Sequence, residues 1–213
     1  KAKELAVECT IRGKKVRVGI MAKGSGMICP NMATLIVCIT SDINISHNLL
    51  KKAVRQSVVK SFNAMSVDGE MSTNDTVFVM ANGLAANPKI VKEDKDFGMF
   101  SAVLSKLMSA MALEVLKDCE GVTKVMKITV TGAGTNADAE KIARSIGNSS
   151  LVKTAVSGSD PNWGRIAASC GASGVLFSPK ELTIILGRYA VVKNGMPQHI
   201  SLAHVKKEFQ KKL

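Results

Sequence analysis

The run Leu35-Ile36-Val37-Cys38-Ile39-Thr40 limits the folds open to this chain more than any other stretch. It is nearly all apolar and rich in β-branched side chains, the pattern of a strand buried on both faces. Ser41-Asp42 ends it. It is entered through Ala22-Lys23-Gly24-Ser25-Gly26-Met27-Ile28-Cys29-Pro30-Asn31-Met32-Ala33-Thr34, a glycine-rich loop with a Pro-Asn turn that delivers a threonine onto the start of the strand. Thr76–Ala81 reads as a second buried strand, closed by Asn82-Gly83. A helix over 47–62, with Ser46 as its N-cap, lies between the two strands. Leu50, Val54, Ser57, Val58 and Phe62 form its apolar face.

The other segments follow the same mixed pattern. Residues 4–10 and 15–21 alternate around Arg12-Gly13-Lys14 and predict a β-hairpin. The polar stretch 65–76 reads as a loop, and 84–96 as a polar connection. From Phe97 to Asp118 apolar residues recur at helical spacing, with Gly121 as a C-terminal cap. Lys124–Thr131 alternates as a strand, and Asp138–Ile146 reads as a short helix. Ser157–Gly164 is a polar loop opening a helix at 163–170. Gly174–Phe177 and Leu182–Leu186 are expected as short strands, Asn194-Gly195 as a turn, and 199–211 as a basic amphipathic helix. The fold class expected is mixed α and β, layered sheet and helix, with no linker strong enough to split the chain.

Composition narrows the function. Lys and Arg total 29 against 17 Asp and Glu, a net charge of +12, which suits an anionic partner. Aromatic residues make up 4% and the basic residues are scattered, so a nucleic-acid surface is not expected. Cys9, Cys29, Cys38, Cys119 and Cys170 are odd in number and contain no CxxC pair, the usage of reduced thiols in the cytoplasm. His47, His199 and His204 lack partners at ligand spacing, so no metal site is expected. No signal peptide is visible, and no apolar run reaches the roughly 18 residues of a membrane span.

Thr34 is the candidate nucleophile. A threonine at a strand edge is commonly just a β-branched residue in a strand. Here Gly24 and Gly26 allow close backbone approach, and Ala33 adds no bulk before the hydroxyl. Were the Ala33–Thr34 bond strained, the Thr34 hydroxyl could attack the Ala33 carbonyl and cut the chain. The freed α-amine would then serve as base for the same hydroxyl. An α-amine titrates near 8, and a positioned base is worth about 10²–10⁴ in rate. Lys23 suits a substrate carboxylate, or is a solvated loop cation. Glu120 stands at a helix C-terminal end, where a carboxylate meets the unfavourable end of the helix dipole. Trp163, the single tryptophan, reads as a core or interface anchor.

These segments together resemble the ornithine acetyltransferases, the glutamate N-acetyltransferase family of arginine biosynthesis. Lys23-Gly-Ser-Gly-Met through Pro30-Asn-Met-Ala-Thr34 is similar to the family's processing segment. Ser61-Phe-Asn with Val67–Thr76, Glu120-Gly-Val-Thr-Lys124 and Gly158-Ser-Asp-Pro-Asn-Trp-Gly-Arg-Ile166 match further signatures, in the family's order. The resemblance implies self-cleavage between Ala33 and Thr34, leaving 1–33 as the end of an α chain and 34–213 as most of a β chain. It implies an acetyl-threonine intermediate at Thr34, with N-acetylornithine as donor and glutamate as acceptor in a ping-pong cycle. Lys23, Thr34 and Glu120 fall on the family's substrate-binding positions. No cofactor is implied beyond acetyl-CoA as an alternative donor, and the assembly implied is two α and two β chains. The implied fold is the one this family shares with self-processing aminopeptidases.

Three positions depart from the family pattern: Cys29 for alanine, Glu70 for aspartate and Cys119 for glycine. The family's oxyanion-hole threonine-glycine pair would precede Lys1, and further substrate contacts would follow Leu213. Loss of one oxyanion donor costs about 10²–10³ in rate, so this chain alone is expected to be inactive. A self-processing amidohydrolase or aminopeptidase is the other enzymatic reading, and a basic binding module the non-catalytic one.

Overall fold

A computed structural model describes residues 2–24, 35–69 and 74–210. The chain divides into two compact units, Lys1–Val122 and Thr123–Leu213. The division falls just after Gly121, in sequence with no linker composition.

The first unit is built on a four-stranded sheet in the order β1-β2-β3-β4. Strand β1 (Glu4–Ile11) and β2 (Lys14–Lys23) form the expected hairpin, with Arg12 at φ 48° and Gly13 at φ 75°. Those two left-handed residues give the primed turn whose twist suits paired strands. Strand β3 (Ile36–Ser41) pairs antiparallel with β2, and β4 (Thr76–Ala81) runs parallel to β3. Helix α1 (His47–Lys60) makes the crossover with a short 3₁₀ turn at Phe62–Ala64.

Helix α2 (Lys95–Lys117) carries the core. It is 23 residues long, with a mean hydropathy of 1.5 over an 18-residue stretch, so by length and composition it passes for a membrane span. Its Phe100, Leu104, Met108 and Met111 are nonetheless buried with Val18, Ile20, Val37 and Ile39 of the sheet, as in a core helix. Asp94 caps its N-terminus, accepting from the backbone N–H groups of Asp96 and Phe97.

Four expectations need correction here. Strands β3 and β4 are not buried on both faces. Val37 and Ile39 face the helices, while Ile36 is 47% and Phe78 53% exposed on the opposite face. Of the face expected for α1, Ser57 and Phe62 are buried and Leu50, Val54 and Val58 are partly buried against the core, but the fully buried line also takes in Leu49 and Ala53, which were not expected there. Gly121 does not cap α2, which ends at Asp118. Its φ of 67° serves the turn in which Val122 N–H donates to the Cys119 carbonyl.

The last correction lies in the second unit. Neither Lys124–Thr131 nor Gly174–Phe177 is a strand. Met126, Ile128 and Val130 alternate inward onto Ile142, Ile146 and Val152, so the period-2 pattern is real but reports a buried face without a strand ladder. The unit holds α3 (Asn136–Asn148), α4 (Ser150–Ser157), α5 (Trp163–Gly171) and α6 (Leu202–Phe209). Beside them runs a small sheet, β5 (Ile184–Leu186), β6 (Tyr189–Lys193) and β7 (Met196–Pro197). Helix α4 and strand β6 were not foreseen.

Candidate functional site

Of the residues singled out by sequence, Lys23 is placed at one end of the first sheet. The hairpin brings the start of β1 beside the end of β2, and the crossover places the starts of β3 and β4 next in line. Lys23, Ile36 and Thr76 stand in one row across β2, β3 and β4. With strands about 4.8 Å apart, that row spans about 10 Å. Lys23 is exposed and has no ion-pair partner among the described residues, whereas Gly24 behind it is buried.

Ala33 and Thr34, with Cys29 and Glu70, lie outside the described residues. The residue that follows Thr34 is fixed on both sides of its backbone. Leu35 N–H donates to Asp75 Oδ1 at 2.6 Å, and Thr76 N–H donates to the Leu35 carbonyl at 2.9 Å. The other Asp75 oxygen, Oδ2, is buried and has no hydrogen-bond partner among the described residues. Burial pushes the Asp75 carboxyl above its ordinary value, against the smaller opposing pull of the Leu35 N–H. The sequence does not single out Asp75, which stands in the polar stretch Asn74-Asp75-Thr76 directly before a strand.

The end of α2 is tied to this end of the sheet. The Lys3 carbonyl accepts from Ala22 N–H at 3.0 Å, next to Lys23, and the Lys3 ammonium pairs with Asp118 at 2.6 Å. The Lys3 ammonium holds the Asp118 carboxyl below its usual value. Cys119 is buried and donates to the Val115 carbonyl; burial raises its thiol. Glu120 follows it in the turn, exposed and with no ion pair among the described residues. Lys23 and Glu120 are thus both exposed and without an ion-pair partner among the described residues.

The Gly158–Ile166 segment lies in the second unit and has a structural account. Asn162 caps α5 by accepting from Arg165 N–H at 3.2 Å. Arg165 returns to the Leu151 carbonyl at 3.0 Å. Lys124 donates to the Val156 carbonyl at 2.7 Å and also to Ser157 and Ser159, closing the end of α4. Trp163 packs with Ile184, Leu186 and Val205, the anchor role expected of it. A cavity of about 750 Å³ in this unit is lined by Met126, Ile128, Val130, Ile146 and Phe177. Lys23 and Glu120 are not among its walls. Among the described residues no group of three or more His, Cys, Asp or Glu is placed to hold a metal ion.

The model of the ArgJ family matches residues 1–213. The chain belongs to the ArgJ family. It is 46% identical over 208 residues to the arginine biosynthesis bifunctional protein ArgJ of Bacillus cereus, covering 98% of this chain and 51% of that protein. It is 47% identical over 197 residues to the chloroplastic ArgJ of Sorghum bicolor, covering 92% of this chain and 42% of that one. The chain therefore spans about half the length of these relatives. The crystal structure of ArgJ from Bacillus halodurans matches with a TM-score of 0.78 at 36% identity, over 83% of this chain and 82% of that one. The layered α and β architecture is that of the ArgJ family.

Proposed function

We propose that the protein carrying this chain moves an acetyl group from N-acetylornithine to glutamate in arginine biosynthesis. Thr34 is the nucleophile. Self-cleavage at Ala33–Thr34 divides the polypeptide into an α chain ending at Ala33 and a β chain beginning at Thr34. The freed α-amine takes the hydroxyl proton as Thr34 Oγ attacks the acetyl carbonyl. Ornithine leaves with that proton, and the acetyl ester is then attacked by the amine of glutamate. Lys23 receives a substrate carboxylate and Glu120 a substrate ammonium. The donors for the tetrahedral oxyanion come from chain beyond these 213 residues, within an assembly of two α and two β chains in the cytoplasm. Acetyl-CoA is the alternative acetyl donor of this reading.

The observation that carries this reading is the locked Leu35 peptide. A nucleophile needs a fixed origin, and the residue after Thr34 is held at both its N–H and its carbonyl, one position before Ile36, the partner of Lys23. The test uses the full-length protein. Intact mass is expected to give two chains that separate before Thr34, and acetyl transfer from N-acetylornithine to glutamate is expected to be fast, with peptide hydrolysis absent. Thr34→Ala is expected to abolish both cleavage and transfer. A single uncut chain whose Thr34→Ala variant behaves identically would remove Thr34 from the chemistry.

A further inference from the structure

We propose that the second unit is completed by one extended segment from the rest of the full-length polypeptide, inserted as a β-strand between residues 124–131 and strand β5. Nothing in it depends on the acetyl-transfer reading.

Two continuous runs of backbone, 124–133 and 181–187, line the cavity of about 750 Å³ in this unit, together with Ile142, Ile146 and Cys170. The first run has the side-chain pattern of a strand and none of its hydrogen bonds. Met126, Ile128 and Val130 turn in on Ile142, Ile146 and Val152, while Lys127, Thr129 and Thr131 are exposed. Among the described residues, no backbone N–H or carbonyl of 125–131 has a hydrogen-bond partner. Folded proteins pair nearly all such groups where water is excluded, so seven consecutive unpaired residues on a half-buried run mark an unfinished ladder.

The second run contains an open edge. Strand β5 pairs with β6 on one side, and among the described residues no strand lies on its other side. Ile184 and Leu186 are buried and Ile185 is exposed. An edge of this composition, with its outward N–H and carbonyl groups unpaired, is a template for strand addition.

A single strand satisfies both walls. Strands pair at a spacing of about 4.8 Å, and one inserted chain presents hydrogen-bonding groups to either side. A small apolar ligand would fill the volume and leave the backbone unpaired. Residues 125–131 run about 23 Å when extended, enough for three or four pairs along that wall. The lining is apolar at Ile142, Ile146, Ile184 and Leu186, so the inserted segment carries apolar side chains at alternate positions, with polar ones outward beside Lys127 and Thr129. Its source is the same protein. The chain spans 51% of the Bacillus cereus ArgJ and 42% of the Sorghum bicolor one, so members of this family hold about as much polypeptide again. A second copy is the poorer occupant, because two chains of net charge +12 repel.

The experiment uses the full-length protein. Hydrogen exchange is followed by mass spectrometry on peptides covering 125–131, with residues 142–146 of α3 as internal standard. Amides paired to an inserted strand should exchange within about tenfold of the α3 amides, whereas amides open to water should exchange at least about a thousandfold faster than α3. A photoreactive residue then identifies the occupant. Thr129→benzoylphenylalanine and, separately, Ile185→benzoylphenylalanine place the probe at exposed positions on the two walls. Both should cross-link to one and the same segment lying outside residues 1–213. Amides at 125–131 that exchange as an open loop overturn the proposal. Protection that fades on hundredfold dilution assigns the groove to a second copy and overturns it too. So do cross-links confined to residues 1–213, cross-links to two unrelated segments, or none from either position. If neither probe-bearing variant folds, exchange in the native protein and its dilution series decide alone.

Discussion

Two aspartates in the first unit respond to their surroundings in opposite senses, and the difference is measurable. Asp94 accepts from the N–H groups of Phe97 and Asp96 and pairs with Arg12, so its carboxyl is held below the ordinary value of 3.8, the Phe97 N–H being the main cause. A depressed acid contributes stability that is fully present above its unfolded value and is lost as pH falls through its folded one. The native chain should therefore lose more Tm between pH 6 and pH 3 than Asp94→Asn, which keeps a cap without the charge. Asp75 has the reverse sign. Its carboxyl is raised by burial, so the folded state binds more protons than the unfolded one, and stability declines as pH rises from the ordinary aspartate range through the raised value. In the Thr34→Ala background, where the chain stays uncut, Asp75→Asn should gain in Tm relative to its parent as pH rises from 4 to 7. Thr34, Lys23 and Glu120 are singled out by sequence because each sits in a segment with a chemical reason for its residue type, and their roles stand as proposals. Asp75 is not, because its importance comes from a hydrogen bond to Leu35, 40 positions away.

At the level of elements, the hairpin, α1, α2, α3 and α5 were legible because turn chemistry and helical periodicity are local. What was not legible depended on what each segment packs against. Alternation in Lys124–Thr131 showed which side chains face inward but could not show the missing ladder. The apolar run of β3 was read as doubly buried because composition cannot say which face is covered. Two joints between elements were also hidden. Asn87 is 1% exposed, accepts from Asn44 N–H at 2.9 Å and donates to the Asn44 carbonyl at 3.1 Å, fastening the connection after β4 to the one after β3. Asn87→Ala leaves those buried groups unsatisfied and should cost about 2–3 kcal/mol in urea unfolding. In the second unit, Gly195 turns β6 into β7 at φ 75°, and a Cβ there would meet the Pro179 carbonyl oxygen at 2.5 Å. That contact is with backbone, so it is not relieved by a rotamer. Gly195→Ala should lower stability by about 1–3 kcal/mol, read as a shift in urea midpoint without a change in slope.

On the scale of the molecule, the first sheet has one face filled and one open. Strand pairing puts Met21, Cys38 and Phe78 in one row and Gly19, Thr40 and Met80 in the next, all on the side away from α1 and α2. Met21, Ile36, Phe78 and Met80 are 56%, 47%, 53% and 54% exposed. Lys23 belongs to this face by its place in the alternation, so the candidate substrate lysine and the open apolar surface share one side of the sheet. Contiguous apolar surface of this kind marks a contact site or a liability. The 213-residue chain should accordingly bind an apolar fluorescent dye while retaining native near-ultraviolet circular dichroism. Replacing Met21 and Phe78 with lysine should cut the dye signal several-fold without unfolding the chain, because neither side chain contributes to the core formed by Val37, Ile39 and α2. Dye binding that survives both replacements would locate the exposed apolar surface elsewhere, and loss of the near-ultraviolet signal would mean that these side chains support the first unit after all. The +12 charge keeps such a chain soluble at low salt, so the dye measurement is best made there, where self-association does not compete for the same surface.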